Sequence, residues 1–113
     1  MREKIYVEFL TYLNVIVETI ENNRLMLVEV SGFSEKEQIG IPQLIPKVEE
    51  ADHVFDGIFE LDFKVSPDIV VKDKRTDWEM KVVFDLDKLP ENIKCVRVNA
   101  SKNADIAMMT EVS

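Results

Sequence analysis

Two stretches of period-two alternation limit what this chain can fold into. From His53 to Val65 the odd positions Phe55, Gly57, Phe59, Leu61, Phe63 and Val65 face one way. Asp56, Glu60, Asp62 and Lys64 face the other, with Ile58 the exception. Trp78, Met80, Val82, Phe84 and Leu86 repeat the pattern. Successive strand side chains point to opposite faces, so such segments read as antiparallel strands with one solvated side. Arg24–Ser31 and Ile93–Ala100 add two more strands, and Ile69–Val71 a short one. The tail from Ser101 is weakly patterned and fits an edge strand, a short helix or a frayed end.

Residues 3–22 carry two patterns at once. At 100° per residue, Lys4, Glu8, Thr11, Asn14, Glu18, Thr19, Glu21 and Asn22 share one arc. Ile5, Phe9, Tyr12, Leu13, Ile16, Val17 and Ile20 lie opposite. That segregation predicts an amphipathic helix ended by Asn22-Asn23. Its β-branched content (Ile5, Val7, Val15, Ile16, Val17, Thr19, Ile20) lowers helix propensity. At period two, Ile5, Val7, Phe9, Leu13, Val15 and Val17 also make an apolar face, with Thr11 and Thr19 between, so the alternative is a strand with a hairpin turn at Glu21-Asn22-Asn23-Arg24. Ser34 with Glu37 has the form of a capping box opening a short helix that Gly40 stops. Pro42 and Pro46 keep Ile39–Pro46 out of helices and central strands. Pro46 suits the first turn of a further short helix bearing Val48, Ala51 and Phe55.

The expected architecture is therefore α+β: an N-terminal amphipathic helix packed on an antiparallel sheet of about five strands, with one or two short extra helices. The alternative is a mainly β fold with residues 3–22 as strand. A length of 113 residues, 46% hydrophobic and 32% charged, suits one globular domain over 1–113 and excludes a disordered chain. One cysteine excludes an internal disulfide framework. No apolar run approaches the ~20 residues of a membrane helix. With no secretory leader after Met1, the expectation is a soluble, cytoplasmic protein.

Charge narrows the function classes. Lys and Arg total 14 against 22 Asp and Glu, a net −8. Phosphate backbones and anionic membranes call for the opposite sign, so neither nucleic acid nor membrane is an expected partner. Between Glu29 and Asp62 nine acids (Glu29, Glu35, Glu37, Glu49, Glu50, Asp52, Asp56, Glu60, Asp62) face two bases (Lys36, Lys47), a segment charge of −7. Such a segment either solubilises the fold or steers a basic protein partner toward it.

Signals for catalysis are thin. Glu50 and His53 have the Glu-x-x-His spacing that places a carboxylate and an imidazole on one helix face. No second copy accompanies them, leaving only weak metal candidates. Cys95 sits in an apolar strand, where a small core residue is the simpler reading than a nucleophile. Glu60 with Asp62 and Asp85 with Asp87 share solvated faces, whereas acid–base pairs need unlike environments. No glycine-rich phosphate loop or nucleophile elbow is present, and no cofactor is expected.

The leading expectation is a non-catalytic, acidic protein-binding module, inhibitor-, immunity- or chaperone-like. Its partner site would combine Glu35, Glu37, Glu49, Glu50 and Asp52 with apolar anchors Ile39, Ile41, Leu44 and Ile45. One competing reading is a homo-oligomeric assembly subunit, joined through an N-terminal helix apolar over most of its circumference and through exposed strand edges. A small-molecule or metal-binding domain would instead line its pocket with Phe9, Tyr12, Phe59, Phe63, Trp78 and Phe84.

Overall fold

The structure, a computed structural model, describes residues 5–35, 37–47, 57–65, 69–71, 76–89 and 92–111, with only the backbone for 37–39 and 69–71. It is built almost wholly of strands. In chain order these are β1 (Ile5–Tyr6), β2 (Phe9–Ile20), β3 (Asn23–Ser34), β4 (Glu37–Ile39), β5 (Pro42–Pro46), β6 (Ile58–Val65), β7 (Ile69–Val71), β8 (Thr76–Asp85), β9 (Cys95–Asn99), β10 (Ala104–Met108) and β11 (Thr110–Glu111). One turn of 3-10 helix, Leu86–Lys88, is the single helical element among the described residues. No described helix is long and apolar enough to cross a membrane.

The expected N-terminal helix is therefore replaced by β1 and the first arm of a long β2–β3 hairpin, and the mainly β alternative holds. Glu21 and Asn22 form the two-residue loop, with φ of 50° and 70°, and Ile20 pairs with Asn23 across it. Two successive positive φ values match the twist that a tight hairpin requires. A register slip between Leu10 and Tyr12 leaves Thr11 as an extra residue in β2. That bulge resets the phase of the strand. Val7 and Leu10 point inward before it, and Leu13, Val15 and Val17 after it. Inward spacings of three, three, two and two imitate a helical stripe.

The helix expected after Ser34 is also absent, because its hydroxyl has another use. Ser34 is fully buried and its Oγ accepts from the Glu8 N–H at 3.1 Å. Glu8 reciprocates, its Oε1 accepting from the Glu35 N–H at 2.9 Å. The reciprocal pattern of a capping box is thus spent on joining two strands. The further helix expected after Pro46 falls outside the described residues. Pro42 and Pro46 lie at the two ends of β5, which pairs only with β6 among the described strands. An edge position of that kind tolerates missing N–H donors.

Two sheets enclose the core. In the first, β9 runs parallel to β6, while β1 and β5 pair antiparallel with β6 and β10 antiparallel with β9. The sheet is mixed rather than antiparallel. The second has the order β11-β2-β3-β8, with β11 parallel to β2. β4 and β7 form a separate two-stranded piece. The inward faces interlock: Phe59, Leu61, Phe63, Val96 and Val98 from the first sheet meet Val15, Val17, Met26, Val28 and Val30 from the second. Burial of each such side chain contributes about 1.5–3 kcal/mol. Phe59 and Phe84 meet edge to face across the two layers, with ring centroids 5.5 Å apart.

Gly32 sets how closely the layers approach. A Cβ there would collide with the Phe9 carbonyl oxygen and lie 3.0 Å from the Phe63 ring. The missing side chain is the space that Phe63 and the bulged strand occupy.

Candidate functional site

The outer side of the second sheet follows directly from its register. Side chains opposite the core form cross-strand rows: Glu18–Leu25–Asp85, Ile16–Leu27–Val83, Asn14–Glu29–Lys81 and Tyr12–Ser31–Glu79. A strand with one face in water carries polar residues on that face. Here Ile16, Leu25, Leu27 and Val83 occupy it instead, joined by Tyr12 and Ile20. Val83 is 58% exposed and Tyr12 and Ile20 each 49%. At the far end Phe9 stacks on Phe33 with centroids 4.9 Å apart.

Acids frame this apolar strip. Glu18, Glu79 and Asp77 are exposed, and Glu29 and Asp85 are half-buried at its margins. The bases in these rows and at their end are Lys81, whose Nζ is 4.0 Å from Glu29 Oε2, and Arg24, whose Nη2 is 2.7 Å from Glu111 Oε1. Each base stands against an acid of its own chain. Exposed pairs of this kind contribute little stability, but they leave the surrounding field negative. Ser31, small between Tyr12 and Glu79, leaves an open depression of about 590 Å³ bordered also by Glu29 and Lys81.

The outer side of the first sheet has a different character. Asp62 is buried there, and its Oδ1 accepts from Asn99 Nδ2 at 3.3 Å. The same amide donates to Glu60 Oε2 at 3.2 Å, and Asn99 Oδ1 accepts from Arg97 Nε at 2.9 Å. Lys47 Nζ lies 3.8 Å from Glu60, and Lys64 Nζ sits 4.6 Å over the Tyr6 ring. Burial raises the Tyr6 hydroxyl above its ordinary pKa, assisted by its hydrogen bond to Asp62 and by the charges of Asp62 and Glu60. Every member of this network has a partner within the chain, so it ties β1, β6 and β9 together.

Of the residues expected from the sequence to form one partner site, those whose side chains are described do not share one surface. Leu44 is buried in the core and cannot anchor a partner. Ile41 is 71% exposed, and Ile45 lies opposite Asp62 on the first sheet. Glu35 is exposed beside Glu8. Glu37 and Ile39 begin and end β4, where only backbone is described. Glu49, Glu50, Asp52 and the metal candidate His53 lie outside the described residues. Of the aromatic pocket, Phe59, Phe63, Trp78 and Phe84 fill the interior, whereas Phe9 and Tyr12 face outward. Cys95 is buried and free. Among the described residues no three or more His, Cys, Asp or Glu side chains gather as metal ligands.

Sequence reasoning missed the strip on β2, β3 and β8. Its signal was present: β3 alternates Leu25, Leu27 with Met26, Val28, so both faces of the strand are apolar. A strand apolar on both sides calls for two covers.

Compared with protein families, curated proteins and solved structures, the chain matches none.

Proposed function

We propose that this chain is a non-catalytic protein-binding module, and that its docking face is the outer side of the β11-β2-β3-β8 sheet. The partner is a protein segment that is amphipathic and basic. The Ile16–Leu27–Val83 row carries the reading: an apolar centre, open to water, rimmed by Glu18, Glu29, Glu79 and Asp85. Apolar centres with charged rims are how transient interfaces divide their work, burial supplying affinity and the rim supplying rate and selectivity. A net charge of −8 adds long-range attraction for a cation-rich partner.

The chemistry of the face sets the choice of partner. Two copies of this face pressed together would oppose acids to acids, whereas a basic segment neutralises them. The test immobilises the protein and a Val83→Glu variant, passes native lysate over both, and washes at low and high salt. One basic protein held by the wild type, released by salt and lost from the variant, supports the reading. Equal capture by both forms overturns it.

A further inference from the structure

The edge of the second sheet offers an interaction of a different kind. β8 pairs with β3 on one side, and no described strand pairs with its other side. β5 of the opposing sheet comes near β8 without pairing to it. The inward residues Trp78, Met80, Val82 and Phe84 are only half-buried, although Met26, Val28 and Val30 on adjacent β3 are almost completely covered. A long strand left in that condition is a template for pairing with another strand.

We propose that β8 pairs with β8 of a second copy, antiparallel, about a two-fold axis midway between the two copies of Met80. Charge pattern and length of overlap together select this register: centring on Val83 would also set Lys81 against the partner's Asp85, but it pairs only residues 81–85, whereas centring on Met80 pairs residues 76–84. Residues paired across an antiparallel junction share a face, so a two-fold axis normal to the sheet lies midway between two copies of one residue. Centred on residue 79, Glu79 would face its own copy. Centred on 81, Lys81 would face its own copy and Asp77 would face Asp85. Centred on 82, Glu79 would face Asp85. Centred on Met80, Glu79 faces the partner's Lys81, and Lys81 faces the partner's Glu79. Opposite charges meet twice and like charges nowhere.

A lysine in an edge strand ordinarily blocks such pairing. With Glu79 two residues before it, Lys81 instead excludes the wrong registers and permits one. In the same register Trp78 faces the partner's Val82 on the inner side, which covers the half-exposed ends of both cores. The product is one continuous sheet through both copies, with the two docking faces side by side. This pairing uses the edge of the sheet and does not depend on what binds its face.

Sedimentation velocity over a range of protein concentrations tests the proposal. The wild type is expected to shift from monomer to dimer as concentration rises. Glu79→Lys or Lys81→Glu alone replaces two attractive pairs by two repulsive ones, weakening the dimer by about tenfold or more. The double variant Glu79→Lys/Lys81→Glu restores both pairs and is expected to restore the dimer. In a second measurement, mild oxidation of Met80→Cys gives a covalent dimer, because residue 80 faces itself, and Val82→Cys gives little. A monomer at every concentration, a dimer indifferent to the single reversals, or failure of the double reversal to restore association would overturn it. Cross-linking through Val82→Cys in preference to Met80→Cys would also overturn the register.

Discussion

The side-chain amide of Asn103 pairs with both backbone groups of Leu10: Oδ1 accepts from the Leu10 N–H at 2.7 Å, and Nδ2 donates to the Leu10 carbonyl at 2.8 Å. Leu10 stands beside the bulge in β2, paired with Gly32 on β3. On its other side a single asparagine does what a neighbouring strand would do. Next to it, the Ser101 and Lys102 N–H groups donate to the carbonyls of Val7 and Glu8. The turn after β9 therefore fastens the chain as it passes from the first sheet to the second.

Asn103→Ala is expected to lower stability by about 2 kcal/mol, because it leaves a donor and an acceptor of buried Leu10 without partners. Asn103→Asp should cost a similar amount, since it replaces the donor by a second acceptor facing a carbonyl. Urea denaturation of the three proteins measures both. Loss of less than about 0.5 kcal/mol in each would show that the closure does not rest on this amide.

Gly32→Ala should cost about 2–4 kcal/mol, because the added carbon meets the Phe9 carbonyl and the Phe63 ring at once. Backbone cannot move aside as a flexible side chain can. The double variant Gly32→Ala/Phe63→Leu should recover only the ring's share. Thermal unfolding followed by circular dichroism distinguishes the outcomes, and a neutral Gly32→Ala would refute the packing argument.

Tyr6 gives a pH signature. Its folded pKa is raised above the ordinary 10.0, so the fold favours the neutral phenol. The stability this supplies is complete below about pH 10 and is lost as pH rises through the folded value. Tyr6→Phe lacks that titration. The variant should be less stable near neutrality, having lost the hydrogen bond to Asp62, and the gap should narrow above pH 10. A gap that stays constant through alkaline pH would contradict the assignment.

Val83→Glu on the outer face is expected to fold normally, with stability within about 0.5 kcal/mol of wild type, because the residue is mostly in water. Leu25→Ala and Leu27→Ala should cost more, about 1 kcal/mol each, since both are half-buried. Chemical denaturation separates a face kept for binding from one kept for packing. A large loss in Val83→Glu would assign the row to stability.

The sheet-forming segments were legible wherever alternation ran unbroken. Phe59, Leu61, Phe63 and Val65 face inward as their odd spacing requires, and Trp78, Met80, Val82 and Phe84 do so on even positions. The N-terminal segment misled because a bulge at Thr11 changes phase within one strand, and because Ile16 and Ile20 make the outer side apolar too. Both effects move hydrophobic residues toward a helical spacing, and only the β-branched composition and the odd-numbered apolar face of Ile5, Val7, Phe9, Leu13, Val15 and Val17 opposed it. The Ser34–Glu37 motif misled for another reason. Its hydroxyl is committed to Glu8, twenty-six residues earlier, and sequence spacing carries no trace of so distant a partner.

The face proposed for docking was not the one that composition pointed to. Concentrating the charge between Glu29 and Asp62 drew attention to Leu44, which the fold spends on its core. The strip that is exposed takes one residue from each of three strands, Ile16, Leu27 and Val83, so it exists only after pairing.

The most direct measurement of the docking claim places a photo-activated cross-linker at Val83, with matched positions at Ile41 and Ile106 as exposed apolar controls. Each protein is irradiated in native lysate at low and high salt. The account predicts adducts from Val83 to one basic protein, suppressed by salt, with no such adduct from the other two positions. Adducts arising from Ile41 or Ile106 and not from Val83 would contradict it.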